Sequence, residues 1–309
     1  MTACRGHSTR PRTTWPRRYP RRVAQIDPME EAAKEAAEAI DTAIDELAGV
    51  PTDDGEIEEF SAEGMTLIAE ARGSADAGVT FLLIHGIGMG RKVFGDLSAR
   101  LSRHGRVVAI DQPGYGDAPE PPRTPAIERT ADFVASYLRH LDRDDVVVIG
   151  HSMGTQVAVE VAVRHPDLVS RLVLVAPTVD ARHRRALSQL ARLGADLFGE
   201  SPRVLLLGAR EYLRAGPHLR RKMRAMLTHR PERSYPRIVA PTLVVRGERD
   251  VVSPRRWCDE VAAAIPGASS LEIEGHRHET MIRDARPAAA AIVRFAREGS
   301  AGGAGSGLG

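Results

Sequence analysis

The sequence has few of the features that mark secreted, metal-binding or membrane proteins. Its 309 residues include 2 cysteines, Cys4 and Cys258, too few for a disulfide framework or a cysteine-based metal cluster. Its longest apolar runs, such as Val79 to Ile84 and Leu172 to Ala176, are several-fold shorter than the roughly 20 residues of a membrane-spanning helix. These absences predict a protein of the reducing cytoplasm with no membrane span.

Excess charge and cofactor motifs are also lacking. The formal net charge of +2 is too close to neutral to indicate a nucleic-acid partner. A dinucleotide-binding fingerprint, a Walker phosphate loop and metal-ligand spacings do not occur, so we expect chemistry that needs no cofactor and no metal. A hydrophobic content of 42% with 27% charged residues is typical of a globular protein, and the length suffices for one large α/β domain or two smaller ones.

The first 26 residues differ in composition from the rest of the chain. They contain arginines and prolines but no acidic residue, so they cannot bury enough apolar surface to fold alone. Their Arg-Arg pairs resemble a twin-arginine export signal, but acidic sequence from Asp27 follows where an apolar stretch is needed, so we expect no export. We predict a disordered extension over residues 1–26, either a solvated tail or sequence upstream of a start at Met29. The functional alternative is an arm for phosphate or anionic lipid.

Two further terminal segments are predicted. Residues 27–49 are expected to form a helix, because Asp27 can cap it, Pro28 suits its first turn, and alanine, isoleucine and leucine recur at helical spacing. We expect this helix to pack on the main domain, and the alternatives are that it pairs with another chain or covers a pocket. Residues 299–309 are glycine, serine and alanine with one leucine, and we predict a disordered tail there.

Short apolar strands alternate with helices along the rest of the chain. A predicted hairpin comes first, from Ile57 to Ala62 and from Met65 to Ala71. The strands predicted after it are Val79 to Ile84, Val107 to Ile110, Val146 to Ile149, Leu172 to Val175, Thr242 to Val245 and Leu271 to Ile273. The predicted helices are Val93 to His104, Glu128 to Leu141, Ser152 to His165, Arg255 to Ile265 and Pro287 to Arg297. This alternation predicts an α/β fold with a doubly wound, mostly parallel sheet, in which functional sites lie at the carboxyl ends of the strands.

The alternation stops between Pro177 and Pro236, where the sequence is mostly helical and rich in arginine. So long a gap before the next strand indicates an inserted subdomain rather than a loop. We therefore predict a core of residues 55–177 and 237–298, interrupted by a helical insertion over residues 178–236. The basic residues of the insertion, expected to form a solvated helical face rather than a ligand site, include Arg182, Arg184, Arg185, Arg220, Arg221, Lys222 and Arg224.

The strand from Val146 to Ile149 runs into a G-x-S-x-G motif centred on Ser152. A strand, a sharp turn and a helix form the context in which such a serine becomes a nucleophile, because the turn strains the backbone and lifts the hydroxyl clear of the sheet. Gly150 and Gly154 leave room for the turn. The pattern also arises by chance in loops, so its partners have to come from elsewhere in the chain.

A nucleophilic serine needs a base, an acid that orients the base, and donors for an oxyanion. Asp250 lies just past the strand from Thr242 to Val245. His276 and His278 both follow the last predicted strand. The glycine-rich loop from His85 to Gly90 can turn its backbone N–H groups toward an anion. All of these candidates lie at carboxyl ends of strands, and the order serine, acid, histidine is the one that this architecture uses.

From about Ile57 to Arg297 the sequence resembles the α/β-hydrolase superfamily. The matching motifs are His85-Gly86-x-Gly88, Asp111-x-Pro113-Gly114-x-Gly116, Gly150-x-Ser152-x-Gly154, Gly247-x-x-Asp250 after a strand, and a late histidine before a closing helix. The resemblance implies that Ser152 is the nucleophile and that Asp250 orients the histidine. It also implies that the N–H groups of Ile87 and Met153 form an oxyanion hole, and that the insertion is a lid over the pocket.

The resemblance leaves two histidines in competition for the role of base. His276 follows a glycine, as the base often does in this family, whereas Arg277 precedes His278. In this family the base lies at a usual spacing after the last strand and at a usual spacing before an aromatic residue of the closing helix. Counted from Ile273 and from Phe295, both spacings indicate His278. We therefore expect His278 to be the base and His276 to be a loop histidine.

The polar residues beside these motifs are expected to be structural. His85 and Asp111 are predicted to hydrogen-bond loop backbone. His151 and Glu248 flank the motifs and are expected to stabilise them, and Cys258 is expected to be an inert residue within a helix.

The resemblance implies a serine hydrolase of the esterase type that acts on a small ester or related acyl substrate. A carbon-carbon bond hydrolase, a perhydrolase and an acyltransferase would use the same residues, since pocket and lid decide among them. A binding protein without catalysis would not need Ser152, Asp250 and His278 together. Association with nucleic acid through the arginine-rich start is the remaining alternative.

Overall fold

A computed structural model describes residues 55–184, 218–282 and 284–300. The predicted extension, the predicted N-terminal helix, residues 185–217 of the predicted insertion and residues 301–309 of the predicted tail lie outside these ranges. In the part of the chain that is described, no helix is long and apolar enough to cross a membrane.

The core of the fold is an 8-stranded sheet. Its strands are β1 (Glu56–Ala62), β2 (Met65–Arg72), β3 (Thr80–Ile84), β4 (Arg106–Asp111), β5 (Val146–His151), β6 (Arg171–Val175), β7 (Thr242–Gly247) and β8 (Ser269–Ile273). Their order across the sheet is β1-β2-β4-β3-β5-β6-β7-β8. The β1–β2 hairpin is antiparallel and joins β4 in antiparallel register, while all other neighbours are parallel. The predicted mostly parallel sheet is thus confirmed.

The central strands are mostly apolar because helices cover both faces of the sheet. Every residue of β3, β5, β6 and β7 is buried. Side chains alternate between the faces, so that Leu82 and Ile84 belong to one hydrophobic cluster while Phe81 and Leu83 belong to the other.

The helices follow the strands as the sequence predicts. They are α1 (Gly95–Leu101), α2 (Ile127–Leu141), α3 (Met153–Arg164), α4 (Leu219–Thr228), α5 (Arg255–Ala264) and α6 (Arg286–Ser300). Helices α2, α3 and α5 pack on one face of the sheet, and α1 and α6 on the other. Two predicted boundaries were wrong: a 3₁₀ turn, Arg91–Phe94, precedes α1, and α6 includes the first residues of the predicted tail.

The expectation that the basic residues of the insertion form a solvated face is wrong for Lys222. The side chain of Lys222 on α4 is 2% exposed and forms an ion pair with Glu120 at 2.7 Å. Its ammonium group lies 4.3 Å from the centroid of the Tyr115 ring, a cation–π contact. Burial of this charge fixes α4 against the loop that follows β4.

The order in which successive strands are added across the sheet reverses at β3: β4 lies on one side of β3, and β5 lies on the other. Ile84 at the end of β3 is therefore paired with Gly150 near the end of β5. The loop after β3 consequently meets the turn after β5, the type of crevice in which open α/β sheets bind ligands.

Candidate active site

Ser152 lies on a strained turn between β5 and α3. Its backbone angles, φ 53° and ψ −119°, are unusual for a residue with a side chain. The turn is held by hydrogen bonds from the Ser152 N–H to the carbonyl of Val175 at 3.0 Å, and from the Thr155 N–H to the carbonyl of Ser152 at 3.0 Å. A Cβ atom on Gly154 would overlap the carbonyl oxygen of Ile84, so this position of the motif has room for glycine alone.

The structure brings Ser152, His278 and Asp250 together from three separate loops. The Ser152 hydroxyl is 3.0 Å from His278 Nε2, and His278 Nδ1 is 2.9 Å from Asp250 Oδ2. Ser152 is 7% exposed, Asp250 3% and His278 5%, so the three side chains form one buried chain of hydrogen bonds. Asp250 and Ser152 occupy opposite sides of the imidazole ring, an arrangement in which the ring can accept a proton from the serine.

The carboxylate of Asp250 is oriented by its own loop. Asp250 Oδ1 accepts hydrogen bonds from the backbone N–H groups of Val252 at 2.8 Å and Ser253 at 2.7 Å. Because both of these donors are fixed backbone groups, Oδ1 is held away from the imidazole and Oδ2 faces His278. The loop after β7 therefore determines which carboxylate oxygen the histidine meets.

A second buried histidine supports the loop that carries His278. His151 Nε2 donates to the carbonyl of His278 at 3.0 Å, and the two rings are 5.2 Å apart. Burial lowers the pKa of His151 to about 3. His151 therefore stays neutral and acts as a hydrogen-bond donor, in line with the structural role expected from the sequence.

His276 contributes its backbone rather than its ring to this region. Its carbonyl accepts a hydrogen bond from the N–H of Arg249 at 2.8 Å, and Glu248 accepts one from the N–H of Gly275 at 2.9 Å. These bonds join the loop after β8 to the loop after β7. Of the two histidines, His278 is thus the one whose ring the structure places between Ser152 and Asp250.

Two backbone N–H groups lie beside the serine. Met153 begins α3, and the first N–H groups of a helix have no partner within the helix. Ile87 follows Gly86, whose Cβ position would be 3.0 Å from the Ser152 Cβ atom. The Ile87 N–H donates to no backbone carbonyl in residues 55–184, 218–282 and 284–300. The assignment of these two N–H groups to an oxyanion hole stays a prediction.

His85 and Asp111 shape the loops around this point, as predicted. His85 Nδ1 donates to the Gly86 carbonyl at 2.7 Å, and its Nε2 accepts from the Gln112 N–H at 3.1 Å. Burial also lowers the pKa of His85, so its ring is neutral. Asp111 accepts the N–H of Asp117 at 2.9 Å and forms an ion pair with the Arg91 guanidinium. Cys258, also as predicted, is buried in a helix, and burial raises the pKa of its thiol.

Sequence reasoning missed the side chains that form the wall beside Met153. A cavity of about 20 Å³, large enough for roughly one water molecule, lies between Gln112, Tyr115, Met153 and Lys222. The Tyr115 hydroxyl contacts the sulfur of Met153 at 3.6 Å. The signal for Tyr115 was its place inside the Asp111-x-Pro113-Gly114-x-Gly116 motif, whereas no local pattern marks Lys222, which comes from the insertion.

Among the described residues, no cluster of histidine, cysteine, aspartate and glutamate is suited to hold a metal.

Comparison with known proteins places this geometry in a family. A family model described as alpha/beta hydrolase family matches residues 81–291. The chain is 29% identical over 266 residues to a pimeloyl-[acyl-carrier protein] methyl ester esterase of Neisseria meningitidis, with 74% of this chain and 98% of that protein covered. It is 32% identical over 136 residues to a 2-(acetamidomethylene)succinate hydrolase of Mesorhizobium japonicum, with 43% of this chain and 48% of that protein covered.

The fold is also found among solved structures. The crystal structure of a membrane phospholipase A, described as a bacterial virulence factor, superposes with a TM-score of 0.70 at 22% identity over 87% of this chain and 93% of that one. That identity supports the shared fold alone. Because the family match spans most of the chain and includes Ser152 and Asp250, this protein is a hydrolase that belongs to the alpha/beta hydrolase family.

Proposed function

We propose that this protein is a cofactor-free serine esterase that cleaves a carboxylic ester or a related acyl substrate through an acyl-enzyme. The observation that carries the proposal is the position of the His278 ring, 3.0 Å from the Ser152 hydroxyl and 2.9 Å from the Asp250 carboxylate. A hydroxyl with a general base at this distance, and a base with a carboxylate behind it, are the requirements for a serine nucleophile.

In the first half of the reaction, Ser152 Oγ attacks the carbonyl carbon while its proton moves to His278 Nε2. Asp250 stabilises the imidazolium that forms, without itself taking the proton. The negative charge on the carbonyl oxygen is stabilised by the N–H groups of Ile87 and Met153. When the tetrahedral intermediate collapses, the alcohol leaves with the proton held by His278.

In the second half, water replaces the alcohol. His278 takes a proton from the water, the resulting hydroxide attacks the acyl carbon, and the same N–H groups stabilise the second oxyanion. Collapse of this intermediate returns the proton to Ser152 Oγ and releases the carboxylic acid.

Two further observations support an ester as the substrate and a covered pocket. The relative from Neisseria meningitidis is a methyl ester esterase that aligns over nearly its whole length. Helix α4, within the predicted lid, is held by Lys222 against Tyr115, whose hydroxyl contacts Met153. We therefore propose that residues 178–236 form a lid beside the acyl site, and that it selects the acyl group.

A fluorescent alkyl fluorophosphonate tests the mechanism, because it forms a stable adduct with an activated serine. We expect one adduct that maps to Ser152, and no labelling of Ser152→Ala. Ser136→Ala, on α2, removes a serine whose hydroxyl donates to the Asp132 carbonyl of the same helix, so it should label like the wild type. Labelling at another serine, or none in folded protein, would refute the proposal. Hydrolysis of p-nitrophenyl esters of increasing chain length then defines the acyl group.

A further inference from the structure

An open cavity of about 800 Å³ lies on the face of the domain that carries α2 and α3. It is separate from the cluster of Ser152, Asp250 and His278, none of which lines it. Four parts of the chain form its wall: residues 122–128 around the start of α2, the end of α3, α4, and the segment 229–237 that follows α4. The volume lies within the range of roughly 300 to 1,000 Å³ that is usual for small-molecule sites.

The wall of this cavity is dominated by arginine. Besides Arg164 at the end of α3, six arginines line it, namely Arg123, Arg221, Arg224, Arg230, Arg233 and Arg237. The carboxylates of the wall are those of Glu128 and Glu160. Positive charge therefore exceeds negative charge on this concave surface by a wide margin, although the whole chain is close to neutral with a net charge of +2.

The carboxylate of Glu160 is already used by its neighbours. It is 4% exposed, and its Oε1 atom accepts hydrogen bonds from the Ser234 hydroxyl at 2.5 Å and from His229 Nε2 at 3.1 Å. Glu128 also lies near His229, at 3.9 Å. Neither carboxylate forms an ion pair with an arginine of the wall among the residues that the structure describes.

Several arginines of the wall have no acidic partner among the described residues. Arg164 is paired with Asp132 at 2.8 Å and Arg230 approaches Glu232 at 3.8 Å. Within the described part of the chain, no carboxylate lies at salt-bridge distance from the remaining five, Arg123, Arg221, Arg224, Arg233 and Arg237. These five side chains are exposed, and like charges that line one open cavity repel one another, a repulsion that a bound anion removes.

We propose that this cavity is a binding site for the phosphate groups of a small-molecule ligand. Guanidinium groups bind phosphate through pairs of parallel N–H···O hydrogen bonds, and they keep their charge at all physiological pH values. Arg221 and Arg224 are three residues apart on α4 and thus project from the same side of the helix. Together with Arg123 and Arg233 they approach the cavity from three segments, which favours a ligand with several phosphate oxygens over one with a single carboxylate.

The site adjoins the small cavity beside Met153 without being part of it. Thr124, Pro125, Ile127 and Ala225 line both this cavity and the small cavity beside Met153, so they form a shared wall. The inference does not depend on the proposed function, since phosphate binding is measured without turnover.

Isothermal titration of the full-length protein with inorganic pyrophosphate tests the proposal. We expect saturable binding to the wild type, and at least about tenfold weaker binding to the double variant Arg221→Glu/Arg224→Glu, which is about 1.4 kcal/mol or more. The matched control is Arg103→Glu/Arg294→Glu, with the same change in net charge on exposed arginines of the α1 and α6 side. The control should bind within twofold of the wild type. Circular dichroism identifies variants that fold, and Arg221→Gln/Arg224→Gln should weaken binding in the same direction.

Three results would overturn the proposal. One is the absence of pyrophosphate binding to the wild type at concentrations up to about 10 mM. The second is equal weakening in both double variants, because that would indicate a response to net charge alone. The third is binding to vesicles that contain anionic lipid without binding to pyrophosphate, because that would make the arginines a membrane-facing patch and not a small-molecule site.

Discussion

Replacement of Asp250 by asparagine tests the proposed mechanism most sharply, because the loop around Asp250 dictates how the amide will lie. The Oδ1 position receives two backbone N–H donors, from Val252 and Ser253, at 2.8 and 2.7 Å. The asparagine oxygen must occupy that position, since its NH₂ group would face two donors there. The NH₂ group is then directed at His278 Nδ1, where Oδ2 lies in the wild type at 2.9 Å.

An NH₂ group in this position forces the wrong tautomer of the histidine. His278 Nδ1 becomes an acceptor, so the ring proton moves to Nε2, the atom that has to accept the proton of Ser152. Serine triads lose about 10⁴-fold in kcat from such a change, which is about 5.5 kcal/mol of transition-state stabilisation. Because asparagine has nearly the same shape as aspartate, we expect little loss of fold.

Initial rates on a p-nitrophenyl ester, with thermal unfolding measured in parallel, provide the assay. Asp132→Asn is the matched control, because Asp132 also contacts a histidine, His165 at 2.9 Å, but does so away from Ser152. The control should retain activity within about twofold, whereas Asp250→Asn should fall by about 10⁴. If Asp250→Asn kept activity within tenfold of the wild type, Asp250 would not orient the base and the reasoning would fail.

Three further predictions follow from contacts in the same region. His278→Ala should lower kcat by several orders of magnitude and His276→Ala by less than about tenfold, and the reverse outcome in steady-state assays would move the base to His276. Gly154→Ala should destabilise the fold by about 3 kcal/mol or more, because its Cβ overlaps a backbone carbonyl of β3. Gly78→Ala, with nothing near its Cβ position, should change the free energy of unfolding by less than about 0.5 kcal/mol in urea titrations. Similar losses in both variants would contradict the close packing inferred for the turn at Ser152. Burial lowers the pKa of His151 to about 3 in the folded protein. Below the ordinary value of 6.5, His151 therefore takes up a proton in the unfolded chain but not in the folded one, and the free energy of unfolding falls as the pH drops. Urea titrations should show that His151→Gln reduces this loss by up to about 1.4 kcal/mol per pH unit, and an unchanged slope would mean that His151 is protonated in the native state.

Much of the fold could be predicted from the sequence because its signals are local. A parallel strand that is buried on both faces is mostly apolar, so β3 and β5 are recognisable as short β-branched and leucine-rich runs. The sharp turn at Ser152 needs glycine on both sides, which makes the motif visible in five consecutive residues. The chain order of serine, acid and histidine, each just after a strand, then predicted that the three meet at one edge of the sheet.

Contacts between residues that are distant in the chain leave no local pattern, and only the tertiary structure shows them. His276 and His278 both follow β8, and the bonds from Arg249 and His151 to that loop set which ring faces Ser152. Burial of Lys222 depends on Glu120, an acid about a hundred positions away in the chain. The sequence of α4 taken alone therefore predicts an exposed basic helix.

The arginine-lined cavity is a second feature that the sequence did not predict and that only the tertiary structure shows. In the sequence, Arg123, Arg221 and Arg233 are ordinary members of charged segments, and solvation is the natural expectation for each. Packing of α4 and the following turns against α3 brings them to one concave wall, where few carboxylates compensate them. The sequence alone therefore determined the fold, the candidate nucleophile and the order of its partners, because strand, turn and helix signals lie in neighbouring residues. The family's spacing indicated His278, but its contact with Ser152 and the cavity wall that several arginines share were decided only by the tertiary structure, because those contacts join residues that are distant in the chain.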